Sequence, residues 1–267
     1  PQALVLSFPY ALNLKNLATL FPRAPLIYST SLAVVNKFFK KFSDKFSISY
    51  ATMTYMEKHE KLRKVFENNN FGFVLLEKKE DVVPYLKEHM EKGSVCSVGG
   101  SVTLDQCRVL DLLRCGDYEF LDRYEQGADL KKIFRATFSA DYYISSANAL
   151  TEHGEVYLVD GTGNRVSATI YGPDKVYLVC GVNKIVKNLK EAVERVKTVA
   201  APLNAKRLNY GTYCRESGMC AKNMADEEHL MCSFTCQNTI CCSSVALSRQ
   251  KIKDRIVIIL VEEELGY

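Results

Sequence analysis

Three apolar runs between residues 142 and 180 each stop at a short loop of residues able to hold an anion: Ser145-Ser146-Ala147-Asn148, Asp160-Gly161-Thr162-Gly163-Asn164 and Gly181-Val182-Asn183-Lys184. Small residues at a strand end leave backbone N–H groups facing outward, and a helix opening there adds partial positive charge, which together suit a phosphate or carboxylate. An upstream loop, Gly99-Gly100-Ser101 followed by Thr103, has the same character. The candidate anion-binding set is Gly99, Gly100, Ser101, Thr103, Asn148, Gly161, Thr162, Gly163, Asn164, Arg165, Asn183 and Lys184. Lys184 supplies a full charge and Arg165 a bidentate donor. The plainer alternative is that the glycines make tight turns and that Ser101 or Thr103 caps a helix. Gly99-Gly100-Ser101 lacks the spacing of a dinucleotide-binding fingerprint.

Glu152 and Asp160 flank the strand expected at 155–159. If their loops converge, they form a carboxylate pair for base and acid work, provided burial or mutual repulsion raises one pKa. Structural roles compete: Glu152 would bond loop amides, and Asp160 would cap the helix opening at Asn164 or pair with Arg165. His153, beside Gly154, reads as a solvent-facing turn residue.

Six of ten cysteines, Cys214, Cys220, Cys232, Cys236, Cys241 and Cys242, crowd into 29 residues with spacing C-x5-C-x11-C-x3-C-x4-C-C. Soft thiolates on a loop-rich segment suit zinc or an iron–sulfur cluster. The spacing is neither that of a zinc ribbon nor a ferredoxin run, so reactive or incidental thiols stay open beside a metal site. His229 is an additional candidate ligand. Cys96, Cys107, Cys115 and Cys180 read as small core hydrophobes.

The elements that must position these residues follow from periodicity. Strands are expected at 72–76, 94–98, 142–144, 155–159, 175–180 and 255–262, and helices at 56–69, 81–92, 103–115, 129–138 and 187–200, the last ended by Pro202. The continuous apolar run 175–180 fits a strand buried on both faces. Alternation of strands and helices points to a parallel sheet. The 129–138 helix carries a core-facing stripe through Leu130, Ile133, Phe134, Thr137 and Phe138, and the Glu191–Arg195 pair lies on a solvated outer face.

With 47% hydrophobic and 25% charged residues in 267, the composition is that of a globular chain. The net charge of +4 is mild and dispersed. The densest basic patch, 37–45 with interleaved Phe, reads as a solvated amphipathic helix rather than a nucleic-acid site. No run reaches the roughly 18 uncharged residues of a membrane span. The apolar 4–20 region lacks the basic start of a signal peptide, so a cytoplasmic location is expected.

Residues 147–209 (ANALTEHGEVYLVDGTGNRVSATIYGPDKVYLVCGVNKIVKNLKEAVERVKTVAAPLNAKRLN), 94–124 (SVCSVGGSVTLDQCRVLDLLRCGDYEFLDRY) and 249–267 (RQKIKDRIVIILVEEELGY) resemble the lactate-utilisation (LUD) domain family. The resemblance spans 53–267 and leaves 1–52 as an N-terminal extension of uncertain status, an interaction segment being its functional alternative. It implies a three-layer α/β/α sandwich with a mostly parallel sheet, similar to the sugar-phosphate isomerase and coenzyme A transferase group (NagB/RpiA-like). It also implies a role in organic-acid, specifically L-lactate, utilisation: binding a small anionic metabolite or cofactor, as a subunit beside iron–sulfur and flavin partners. Family members often carry a glutamate where Gln106 stands, which argues against acid–base work there. They also carry a tighter C-x5-C-x2-C-x6-C arrangement. Cys214, Cys220 and Cys241 fall at its first, second and last positions. Asn223 occupies the third, for which Cys232 or Cys236 would substitute, so the ligand set implied for the 214–242 segment is Cys214, Cys220, Cys236 and Cys241. Two other functions stand beside this one: a stand-alone isomerase or transferase using Glu152 and Asp160, and a non-catalytic metal-binding or redox-sensing module built on the cysteines.

Overall fold

The structure, a computed structural model, describes residues 50–221, 236 and 238–267, with side chains from residue 59 onward. Most of the expected extension, the 37–45 basic patch, Asn223, His229 and Cys232 lie outside the described residues. The residues from Glu57 to Tyr267 group as one unit, which carries the architecture below.

Its central sheet has six strands in the order β1 (Gly72–Leu76), β10 (Ile256–Val261), β7 (Lys175–Gly181), β4 (Tyr142–Ser145), β2 (Val95–Val98) and β3 (Glu119–Phe120). Every pairing between them is parallel. The apolar run of β10 follows from burial on both faces. Ile256, Ile258 and Leu260 meet Leu62 and Phe66 of α1 (Tyr50–Asn68), together with Val166 and Ala168 of α6 (Asn164–Ile170). Val257, Ile259 and Val261 point the other way, toward Val82 and Leu86 of α2 (Val82–His89), Leu104 of α3 (Val102–Gln106) and Leu112 of α4 (Val109–Leu113). Each such side chain contributes about 1.5–3 kcal/mol by leaving water. The result is a three-layer α/β/α sandwich around a parallel sheet.

A second, four-stranded sheet packs on the α1 side in the order β8 (Ile185–Val186), β5 (Ala149–Thr151), β6 (Val156–Asp160) and β9 (Ser243–Leu247). It places β6 outside the central sheet, antiparallel to β5 and β9. Its far side packs through Ala149, Tyr157 and Val159 on Ala192 of α7 (Leu189–Arg195) and Ala201 of α8 (Ala201–Arg207).

Four expectations change. The 103–115 helix breaks at Arg108, which sits in the left-handed region at φ 58°, giving α3 and α4. Helix α5 (Leu130–Ala136) fully buries none of its residues: Leu130 is exposed, Ile133 and Phe134 are half-buried, and the Arg123 guanidinium lies 4.9 Å from the Phe134 ring. Pro202 does not end a helix. It falls in the first turn of α8, where a missing N–H is tolerated, directly after the wide turn Val196–Ala200. Cys115 is exposed, whereas Cys96, Cys107 and Cys180 are core residues. Among the described residues no helix is long and apolar enough to cross a membrane.

Candidate functional site

The loops after β2, β4 and β7 open at one end of the central sheet, where a parallel sheet commonly binds its ligands. Together with the loop after β6 they enclose a cavity of about 300 Å³. Gly100, Ser101, Thr103, Asn148, Gly161, Thr162, Asn164, Arg165 and Lys184 line it, as do Ser146, Arg123, Asn204, Arg207 and Tyr267.

Lys184 is the deepest cation. Strand β7 ends at Gly181, and one tight turn, Val182–Lys184, folds the side chain back beneath the sheet edge. Any Cβ on Gly181 would strike the Glu263 carbonyl and the Leu265 amide, so only glycine lets residues 263–266 lie across this turn. Asn183 fastens them, accepting from the Leu265 N–H at 3.1 Å and donating to the Gly266 carbonyl at 3.3 Å. Gln106 accepts from the Gly266 N–H at 2.7 Å. Asn183 and Gln106 therefore position the cavity wall without lining it.

The Lys184 side chain is 2% exposed, and its Nζ donates to Ser146 Oγ at 2.7 Å and Thr103 Oγ1 at 2.9 Å. Among the described residues no carboxylate pairs with it. Burial lowers its pKa to about 8; Cys180 pulls the other way, and the Arg195 and Arg165 charges add to the lowering. A buried ammonium held by two neutral hydroxyls is an uncompensated charge, which an anion in the cavity would offset.

Arg165 and Asp160 hold the walls together. Asp160 Oδ2 accepts from the Arg165 and Val166 N–H groups at 3.0 and 3.3 Å, so the first amides of α6 are already engaged. The Arg165 guanidinium donates to Ser146 O at 2.8 Å, Asn148 Oδ1 at 2.9 Å and Val159 O at 2.6 Å, with Asp160 Oδ1 3.6 Å from Nε. Arg165 is thus a clamp between the β4 and β6 loops rather than an open anion donor. Arg195 does similar work: it donates to Asn148 O at 2.7 Å and Asn183 O at 3.1 Å, and is half-buried rather than solvated. Gly99 lies behind the lining, where a Cβ would strike Ser145 Oγ and Tyr143 Oη. Gly163 precedes α6 and its carbonyl accepts from Ser167.

The mouth carries further cations. Arg123 stands beside the Tyr124 and Phe134 rings, and Arg207 donates to Tyr267 Oη at 2.8 Å and to Asn204 Oδ1 at 2.9 Å. Four basic side chains, Arg123, Arg165, Lys184 and Arg207, face the cavity against one carboxylate, Asp160, which is already bonded. The lining is therefore electropositive. Sequence reasoning singles out the loop holding Ser146 but not that hydroxyl, and it misses Arg123, Asn204, Arg207 and Tyr267. Nothing near these four in sequence marks them, because the tertiary fold alone brings them to the cavity.

Glu152 is exposed on the β5–β6 turn, at the opposite end of β6 from Asp160. Five strand residues separate the two ends by roughly 13 Å, so the carboxylates do not face one another. Asp160 instead takes both structural roles open to it, capping α6 and pairing with Arg165. Of the cysteines, Cys214, Cys220 and Cys236 are buried, Cys220 packs against Cys236, and Cys241 lines the cavity. Among the described residues no three His, Cys, Asp or Glu side chains converge as a ligand set.

The family model of the LUD domain matches residues 59–261. No curated protein matches the chain. Among solved structures, a DUF162 family protein from Deinococcus radiodurans is similar at 14% identity and a TM-score of 0.43, over 77% of this chain and 96% of that one. The eIF2B beta subunit from Chaetomium thermophilum is similar at 13% identity and a TM-score of 0.31, over 41% of this chain and 43% of that one.

Proposed function

The chain belongs to the LUD domain family, and from that membership and the cavity's chemistry we propose a protein of organic-acid utilisation that binds a small carboxylate such as L-lactate beside Lys184. One observation carries the reading: a buried ammonium with two hydroxyl partners and, among the described residues, no carboxylate, in the lining of a cavity that Arg123 and Arg207 also face. A cavity of about 300 Å³ holds a three- or four-carbon acid with room to spare.

In this reading Lys184 is the counter-ion of the ligand carboxylate, the Ser146 and Thr103 hydroxyls set the ammonium's direction, and the arginines at the mouth draw the anion in. Arg165 and Arg195 keep the loops in register. Oxidation of a 2-hydroxy acid releases two electrons, and the reading places their acceptor in an iron–sulfur or flavin partner subunit. Free thiols at all nine described cysteines support a reducing compartment such as the cytoplasm.

A thermal-shift panel of L-lactate, other 2-hydroxy acids, sugar phosphates and uncharged amides tests it. Small carboxylates should raise the melting temperature in a saturable way that weakens with salt. Equal shifts from the amides, or none from any carboxylate, would refute the reading.

A further inference from the structure

We propose that Lys184 forms a covalent imine with a 2-oxo acid bound in the cavity. This rests on the anion-pocket reading and narrows its substrate class from carboxylates in general to those with an adjacent carbonyl.

Buried lysines ordinarily sit in ion pairs, and among the described residues this one does not: its two partners, Ser146 Oγ and Thr103 Oγ1, are neutral. Lys184 nevertheless lines a cavity, and both hydroxyls bonded by its nitrogen belong to residues of the same lining. A desolvated amine gives up its proton closer to neutral pH than a solvated one, and the neutral amine so formed is the species that attacks carbonyls. Burial lowers the Lys184 pKa in that direction. Arg123 and Arg207 at the mouth supply the charge to hold a substrate carboxylate once Lys184 is no longer its counter-ion.

The step balances without an outside reagent. The Nζ lone pair attacks the carbonyl carbon, and the carbonyl oxygen takes a proton from the Ser146 hydroxyl, which regains one from Nζ. The carbinolamine then loses its hydroxyl as water, the proton coming from nitrogen by way of Ser146, which leaves the neutral imine; a proton taken up from solvent converts it to the iminium. One C=O bond is replaced by one C=N bond, and no electrons are gained or lost. Ser146 acts here as a general acid, and Thr103 holds the nitrogen's direction.

The test is reductive trapping on the full-length protein. Incubation with pyruvate and cyanoborohydride should attach one reduced pyruvyl group per chain, and peptide mapping should place it on Lys184. L-lactate, which has no carbonyl, should give no adduct and should compete with pyruvate. Ser146→Ala should slow labelling by about a hundredfold without moving its site. Lys184→Arg should abolish it, and because mapping on the unaltered chain already decides the site, a misfolded variant leaves the test intact. Pyruvate that stabilises the protein yet leaves Lys184 unlabelled, or labels exposed lysines equally, overturns the imine and spares the anion pocket. Failure of both pyruvate and L-lactate to shift the melting temperature overturns both.

Discussion

Lys184 is held at a cost to stability, and the sign of that cost is measurable. Its folded pKa of about 8 lies below the ordinary lysine value of 10.5, so between those limits the unfolded chain binds more protons and stability rises with pH. Below pH 8 both states carry the charge and the full penalty stands. Lys184→Met should therefore stabilise the protein by about 1–3 kcal/mol at pH 7, and the gap should close between pH 8 and 10.5. The groups facing the amine are Arg165, Arg195, Cys107 and Cys180. Cys107, pushed up to about 12 by burial, stays a thiol across that window. Urea unfolding of both proteins at pH 7 and pH 10 checks this, and a gap that does not change with pH would remove Lys184 as its source. Gly181 gives a second test at this scale. Gly181→Ala forces a methyl group onto the backbone at Glu263 and Leu265 and should cost about 2 kcal/mol or more by the same method, with loss of ligand binding.

The elements around the cavity are tied by a few side chains, and these separate structure from chemistry. Arg165 joins the loops after β4 and β6 through three carbonyl oxygens, and a lysine keeps the charge but not the fork. Arg165→Lys should lose roughly 3 kcal/mol and weaken ligand binding with it. Glu152→Gln, at the far end of β6, should change stability by no more than about 0.5 kcal/mol and leave ligand affinity alone. A loss of affinity in that variant would bring Glu152 back to the site. The longer elements were legible in sequence where burial on two faces imposes a pattern, as in β7 and β10. Strands β5 and β8, three and two residues long, carry too little pattern to announce themselves, and their pairing turns β6 out of the central sheet. The stripe on α5 was real as a period but says nothing of what it faces. The wide turn Val196–Ala200 let Pro202 begin a helix where sequence rules end one.

At the scale of the whole molecule, the site is a convergence of segments distant in sequence. The loops at 99–103, 145–148, 160–165 and 181–184 announce their glycines and polar residues. Arg123 after β3, Arg207 on α8 and Tyr267 reach the same cavity only through the tertiary fold, so the electropositive rim was not legible. The cysteine segment divides differently: its spacing is plain in sequence, whereas its described thiols contribute Cys241 to the cavity wall and a packed Cys220–Cys236 pair. Because the rim and floor are built from Arg, Lys, Ser and Thr, carboxylate affinity should stay within about twofold after chelator treatment; a larger loss would place a metal in the pocket. The central claim, that a buried and unpaired Lys184 defines a small-carboxylate site, is tested most directly by calorimetric titration of L-lactate into the wild-type protein and Lys184→Met at pH 7. The expected result is one saturable site per chain in the wild type, weakened at least about tenfold in the variant. Equal affinity in two folded proteins, or no heat in either, would contradict it.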